Sequence, residues 1–320
     1  MNGDISKSLV ARTTIHNYVL VCAARNEAEF IQGVIASVVA QNVRPLKFIV
    51  VSDGSTDGTE DIVALHYAVH DWIELVRLPQ RAERHFGGKA LAIKAGLGCV
   101  QHLPYEALAC VDADVSFDAD YFSFLLEKLS SDPSLGVVGT PFVQESGKTY
   151  DYRFANIEHV SGSCQMFRRA CFESIGGYLP IKTGGIDCIA VITARMKGWK
   201  TRTFLERTYL HRRLMSTAEC GPLKAKAKLG AKDFTLGNHP LWQLFRCVYQ
   251  MSQRPRVWGG LALAAGYLGA MLRRAPRSVP PEFIAFHRKE QMNRLGRILR
   301  RNPFSIRHAG TIRRVAGQVR

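Results

Sequence analysis

Asp112-Ala113-Asp114 sets two carboxylates two residues apart, directly after the apolar run Ala107–Val111. At a strand end, side chains at i and i+2 point the same way. Such a pair can hold a hard divalent cation, which takes oxygen ligands and shares them with phosphates. Alone, a D-x-D is as readily a pair of solvated loop aspartates. Ser52–Thr59 is a second polar loop after an apolar run, and its Asp53 can hydrogen-bond a base or a ribose. Taken singly, it is equally a glycine-rich turn with an Asp cap. Gly87-Gly88-Lys89-Ala90 opens a helical stretch, and a lysine beside the free N–H groups of a helix start suits a phosphate. No Ser/Thr follows Lys89, so this is not a Walker A loop. No G-x-G-x-x-G follows the first apolar run, which argues against a dinucleotide oxidoreductase.

The elements that must position these residues alternate in type. Apolar runs at Tyr18–Ala23, Lys47–Val51, Ile73–Leu78 and Ala107–Val111 read as buried strands. Between them, Glu27–Ala40, about Thr59–Val69 and Gly88–Val100 carry helical periodicity. This alternation predicts a doubly wound, mostly parallel α/β sheet. Ligands bind such sheets at the carboxyl ends of the strands, which selects the loops Ala24–Glu27, Ser52–Thr59 and Asp112–Asp114. The half from about Leu135 to Arg213 is less regular and reads as a mixed sheet, with helices near Tyr150–Val160 and Asp187–Lys197.

The charge is unevenly placed. The chain has 320 residues and a net charge of +16, and fifteen basic against two acidic residues fall between Arg254 and Arg320. The body is close to neutral and the tail carries the excess, which points to an anionic partner for the tail. Leu223–Lys232 is a basic helix, Leu241–Gln253 has an apolar face, and Glu282–Arg301 is a further basic helix. Between the last two, Val257–Leu272 runs sixteen residues without a charge, with Arg254, Arg256, Arg273 and Arg274 at its ends. A spanning helix needs about 20 apolar residues. The segment therefore lies in a membrane plane, enters partway, or packs as a core helix. The expected organisation is an N-terminal arm (1–17), a catalytic domain (18–215) and a helical, basic, membrane-associated C-terminal region (216–320). None of the eight cysteines has C-x-x-C spacing, several sit in apolar runs, and residues 1–17 lack an apolar signal core. A cytoplasmic setting is expected, with the protein peripheral on the membrane.

Taken in order, these pieces resemble glycosyltransferase family 2, the inverting, nucleotide-sugar-dependent enzymes of the GT-A fold. The resemblance rests on Ala23-Ala24-Arg25-Asn26-Glu27, Val51–Asp57, Gly88-Lys89-Ala90-Leu91-Ala92 and Asp112-Ala113-Asp114. It extends through Gly176-Gly177-Tyr178, Gly185-Ile186-Asp187 and Gly198-Trp199. It implies a Rossmann-like nucleotide half, a mixed acceptor half and a divalent cation, Mn²⁺ or Mg²⁺. It also implies roles by position. Ala23, Arg25 and Glu27 line the nucleoside pocket, Asp53 reads the base, and Lys89 approaches ribose or diphosphate. Asp112 and Ala113 contact the donor, Asp114 ligates the metal and His211 completes the metal site. Asp187 is the catalytic base. The donor is then a nucleotide sugar, a UDP-sugar by family default, and the acceptor a carbohydrate or lipid-linked hydroxyl. Three positions depart from the family pattern: Ala23 stands for proline, Lys94 for asparagine, and Ile186 for an acidic residue before Asp187. His211-Arg212-Arg213-Leu214-Met215 occupies the place of the processive synthases' Q-x-x-R-W, which favours a non-processive enzyme.

Two other classes compete. A nucleotidyltransferase shares the α/β nucleotide site and metal, but it would carry a glycine- and basic-rich loop after the first strand. A nucleic-acid-binding protein would fit the net charge, but the charge is confined to the tail and no aromatic stacking pattern accompanies it.

Overall fold

A computed structural model describes residues 14–81, 87–144, 157–213 and 221–300. The first half alternates as its apolar runs dictate: β1 (Tyr18–Ala24), α1 (Ile31–Val39), β2 (Lys47–Asp53), α2 (Thr59–Tyr67), β3 (Ile73–Leu78), α3 (Gly87–Val100) and β4 (Ala107–Asp112). Then follow β5 (Val115–Ser116), α4 (Tyr121–Ser131), β6 (Leu135–Gly139), β7 (Phe142–Gln144), β8 (Cys164–Arg168), α5 (Arg169–Ser174), α6 (Ile186–Met196), β9 (Lys200–Thr203) and β10 (Tyr209–His211). The main sheet has the order β3-β2-β1-β4-β8-β6-β9. It is parallel from β3 to β4; β8 then runs antiparallel to both β4 and β6.

Side chains alternate across this sheet. Leu20 and Cys22 face the layer formed with α1 and α4, while Val19 and Val21 face α3 and α6. Such period-two burial on both faces is what a continuous apolar strand requires. Gly96 lets α3 approach closely, since a Cβ there would lie 2.8 Å from both Val21 Cγ1 and Val51 Cγ2.

Two features position the site. The strand order reverses between β1 and β4, and the register sets Ala23 beside Asp112, Ala24 beside Ser52 and Asp53 beside Leu78. The three polar strand ends therefore form one rim, at the switch point where doubly wound sheets bind ligands. A second, three-stranded sheet, β5-β10-β7, pairs His211 with Val115, the residue after Asp114. This pairing carries residues from the end of the domain back to the Asp112–Asp114 turn.

Four helices close the described chain: α7 (Pro222–Thr235), α8 (Pro240–Met251), α9 (Arg256–Leu272) and α10 (Pro281–Arg300). Proline at the first helical position starts α7 and α8, where its missing N–H costs nothing. The backbones of α7 and α9 touch: a Cβ on Gly266 would fall 1.9 Å from the Ala227 carbonyl oxygen, and one on Gly230 2.0 Å from that of Leu263. α10 returns to α6, with Phe283 and Val279 packed on Ile189 and Ile192. Arg195 of α6 donates to Glu290 of α10 at 2.7 and 2.9 Å.

The expected helix near Tyr150–Val160 falls mostly outside the described residues. Residues 145–156 lie outside the described residues, and 157–160 are turn and irregular chain rather than helix. No helix among the described residues is long and apolar enough to cross a membrane.

Candidate active site

Asp112 ends β4, and Lys89 stands in the first turn of α3 across the rim. The Lys89 ammonium pairs with Asp112 and donates to the Gly162 carbonyl at 2.8 Å. Burial works to lower the Lys89 pKa, but Asp112, helped by Asp187, outweighs it and the net shift is upward. Lys89 is thus a fixed cation at a helix start, suited to an anionic ligand.

Asp114 sits in the turn after β4 and is buried. Its Oδ1 is fully buried and has no hydrogen-bond partner among the described residues. The same oxygen lies 3.8 Å from His211 Nε2, and Oδ2 lies 3.5 Å from Arg213 Nε. His211 Nδ1 is 2.8 Å from the Arg213 carbonyl. A carbonyl only accepts, so Nδ1 carries the proton and Nε2 faces Asp114. One ligand atom from each of Asp112, Asp114 and His211 falls within 4.8 Å of the others. Burial, then the neighbouring Asp112 charge, pushes the Asp114 carboxyl above its ordinary range; His211, Arg213 and Lys89 oppose this without cancelling it. A buried, unpartnered carboxylate oxygen opposite an imidazole nitrogen oriented by its other N–H is the arrangement a divalent cation completes.

The nucleoside end of the rim is cross-linked. Asp53, buried at the end of β2, is gripped by Arg81, whose Nε donates to Oδ1 at 3.0 Å. Arg25 Nη1 stands 3.9 Å from the other oxygen, and Arg25 Nη2 donates to the Arg81 carbonyl at 3.2 Å. Glu27 pairs with Arg213, and its backbone N–H donates to Thr59 Oγ1 at 2.9 Å. Asp57 accepts from the N–H of Ala28 at 3.0 Å and of Thr59 at 3.1 Å, which ties the first loop to the second. Ala23 is the penultimate residue of β1, and Ala113 is buried between the two aspartates.

Asp187 stands in the first turn of α6, after Gly185 at φ +86°. Its carboxylate lies against Gly162, where a Cβ would be 2.4 Å from Asp187 Oδ2. Only glycine fits there, and it is the carbonyl of this same Gly162 that receives Lys89. Asp187 thus sits one residue's breadth from the Lys89–Asp112 pair. Among the described residues it receives no hydrogen bond and makes no ion pair.

The expected residues line one rim: Arg25, Glu27 and Asp53 at one end, Lys89, Asp112, Asp114 and His211 in the middle, and Asp187 beyond Gly162. Sequence reasoning missed Arg81, Arg213 and Gly162. Arg81 follows β3, and the strand-end rule that selected the other loops reaches it as well. Arg213 lies two residues after His211, a spacing that faces both side chains the same way along an extended chain.

Parallel strands to a switch point, an antiparallel strand beyond it and an aspartate pair at the end of β4 define the GT-A class of glycosyltransferase folds. Residues 19–176 match the model of glycosyl transferase family 2, and the domain that this match spans belongs to that family. Among curated relatives, a poly-β-1,6-N-acetyl-D-glucosamine synthase of Staphylococcus epidermidis is 26% identical over 179 residues, covering 50% of this chain and 41% of the relative. The synthase of that name from Staphylococcus aureus (strain COL) is 24% identical over 173 residues, 48% of this chain and 40% of its own. The chain spans about two fifths of the length of these relatives. Among solved structures, the mannosyltransferase PcManGT of Pyrobaculum calidifontis, in complex with GDP-Man and Mn²⁺, superposes with a TM-score of 0.57 at 18% identity. That superposition covers 90% of this chain and 88% of the other. S. aureus TarS 1-349 in complex with UDP-GlcNAc gives 0.52 at 13% identity, covering 89% and 81%. At these identities the structures speak for the fold.

Proposed function

We propose that the protein is an inverting glycosyltransferase that moves a sugar from a nucleoside diphosphate donor, most simply a UDP-sugar, to a hydroxyl of a carbohydrate or lipid-linked acceptor in polysaccharide or glycolipid assembly. The observation that carries this reading is the convergence of Asp53, Lys89, Asp112, Asp114 and Asp187 on one rim, with Asp187 alone making no ion pair or hydrogen bond among the described residues. The printed ligands of the structural neighbours, GDP-Man with Mn²⁺ and UDP-GlcNAc, support a nucleotide sugar. The family match favours sugar transfer over nucleotidyl transfer.

In this mechanism the arginines beside Asp53 set it to read the base, and Ala23, Arg25 and Glu27 wall the nucleoside. Lys89 draws in ribose or diphosphate, while Asp112 and the backbone at Ala113 contact the donor. Asp114 and His211 would hold Mn²⁺ or Mg²⁺, which, when bound, acts as a Lewis acid toward the leaving diphosphate. Asp187 takes the proton of the acceptor hydroxyl. The acceptor oxygen bonds to C1 as the C1–O bond to diphosphate breaks. The nucleoside diphosphate leaves with the electron pair, and attack from the opposite face inverts C1. A carboxylate without competing donors is free to do this. The seven described cysteines are unpaired, which fits a cytoplasmic setting, with the protein peripheral on a membrane.

The test is a thermal-shift panel of nucleotides and nucleotide sugars, with and without Mn²⁺, followed by product analysis. Binding to the native state raises the melting point. A shift from one nucleoside diphosphate class and release of nucleoside diphosphate are expected. Release of pyrophosphate would mean nucleotidyl transfer, and no shift with any nucleotide would remove the donor site.

A further inference from the structure

α9 is apolar on two opposite sides. Gly260, Leu263, Tyr267 and Ala270 are buried against α7 and α8. Val257, Leu261, Leu268 and Leu272 recur at helical spacing on the far side and are exposed, Leu272 by 78%. A solvated surface helix carries polar residues there. The neighbouring α8 repeats the pattern, with Leu241, Leu244 and Val248 exposed at i, i+3 and i+7. The stretch is basic: from Phe234 to Pro281 the sequence has no Asp or Glu, and Asp233, which pairs with Arg246 of α8, is buried. Arg254 and Arg256 stand at one end of α9, Arg273 and Arg274 at the other. All four are exposed, and none forms an ion pair among the described residues.

From this we infer that α8 and α9 form a docking face for an anionic lipid bilayer, on which both helices lie in the interfacial plane. Charge selects the occupant: exposed aliphatic side chains on both helices, with arginines that make no ion pair at the ends of α9 and no exposed acid on either helix, complement apolar chains beneath anionic headgroups. Depth follows from packing. α9 has seventeen residues, short of the roughly 20 that a span needs. Its inner side is held to α7 by backbone contact at Gly230 and Gly266, so it cannot leave the bundle to insert. The outer side chains enter and the helix axis stays at the surface. This deepens the peripheral-membrane part of the proposed function and needs none of its transfer chemistry.

The test is flotation of the full chain with vesicles of phosphatidylcholine alone and of phosphatidylcholine with phosphatidylglycerol, without donor or metal. Binding to the anionic vesicles only is expected. Trp258, 68% exposed at the start of α9, is then quenched by lipids brominated in their acyl chains. Leu261→Glu with Leu272→Glu lowers partitioning at least about tenfold at low salt, while the nucleotide-induced thermal shift stays unchanged. Arg254→Gln with Arg273→Gln lowers it on anionic vesicles by a similar factor. These positions face solvent, so the variants keep the wild-type melting point. If the double Glu variant does not, Leu272→Glu alone, which keeps Trp258 for the quenching experiment, decides. Equal binding to both vesicle types, no binding, or a double Glu variant that binds like wild type overturns the inference. So does light scattering that shows a wild-type dimer dissociated by the Glu substitutions, because the face would then join two copies. Loss of the nucleotide shift in wild type would strike the transfer reading and leave this one standing.

Discussion

The two walls of the crevice are built on opposite principles. On the donor side four carboxylates have a cation: Asp53 has Arg81 and Arg25, Asp112 has Lys89, and Glu27 and Asp114 share Arg213. On the acceptor side Asp187 makes no ion pair or hydrogen bond among the described residues, and its carboxylate lies against Gly162. The family match, residues 19–176, takes in the carboxylates of the paired wall and stops before Asp187, His211 and Arg213. A wall that binds a fixed anion gains from cations held in place beforehand, since their ordering is not repeated at each binding event. A base that must accept a proton is impaired by each donor bound to it. The contrast between the walls separates binding from proton transfer.

The largest effect should come from breaking that division at its simple end. Asp187→Asn keeps the shape against Gly162 and removes only the proton acceptor. Transfer should fall by about 10²–10⁴-fold, with the nucleotide-induced thermal shift and the melting point unchanged. Steady-state rates on the purified variant check this. Near-wild-type turnover would mean that the unpaired carboxylate is not the base and that the contrast carries no chemistry.

A smaller effect tests the paired wall. The Asp114 carboxyl is raised by burial and by Asp112. The folded protein therefore holds a proton that the unfolded chain has already released. Stability from this group falls as pH rises from the ordinary carboxylate range through the raised value. At neutral pH an ionised Asp114 without a metal is a cost. Asp114→Asn should raise the melting point of the metal-free protein, by about 1 kcal/mol in stability, and abolish any rise caused by Mn²⁺. Calorimetry with and without the metal reads both. A variant that still responds to Mn²⁺ as wild type does would take Asp114 out of the metal site.

Much of the donor wall was legible in the sequence because it is local. Asp53 and Asp112 end unbroken apolar strands, and strand ends at a switch point are where sites form. Its cations were less so. Arg81 and Arg213 are single arginines in loops, and nothing in a linear pattern says which carboxylate each will meet. The acceptor wall depends on pairings between distant short segments. β10 is three residues long and aligns beside β5 across almost a hundred positions, a contact that no periodicity announces. β8 includes a buried Gln165, which interrupts the apolar pattern of a core strand; Tyr178 and the Val160 carbonyl satisfy it. α4 is a different case, with Phe122, Leu125, Leu126 and Leu129 at plain helical spacing, and the expectations simply left that stretch unassigned. The C-terminal helices, set off by prolines and arginines, were bounded to within a few residues. Whether Val257–Leu272 packs or faces outward was not legible, because a helix apolar on both sides does both.

The smallest effect probes how the acceptor wall is backed. Behind α6, neutral polar groups are buried beside the Arg195–Glu290 and Asp233–Arg246 ion pairs. Gln291 Nε2 donates to Asn238 Oδ1 at 2.9 Å and lies 2.8 Å from His287 Nε2. His287 Nε2 also lies 3.0 Å from Asn238 Oδ1, so it sits between an amide donor and an amide acceptor. Burial, then the charges of Arg195, Arg246 and Arg288, pushes His287 down to about 4. Below about pH 6.5 the unfolded chain takes up a proton that the folded chain refuses until about pH 4, so stability falls as pH drops through that window. The ring is partly accessible, so its share of the loss should reach about 2 kcal/mol at most. His287→Gln should flatten the decline in melting temperature between pH 6.5 and pH 4 relative to wild type, with little change at pH 8. Parallel curves would show that the charge of His287 is tolerated where it sits.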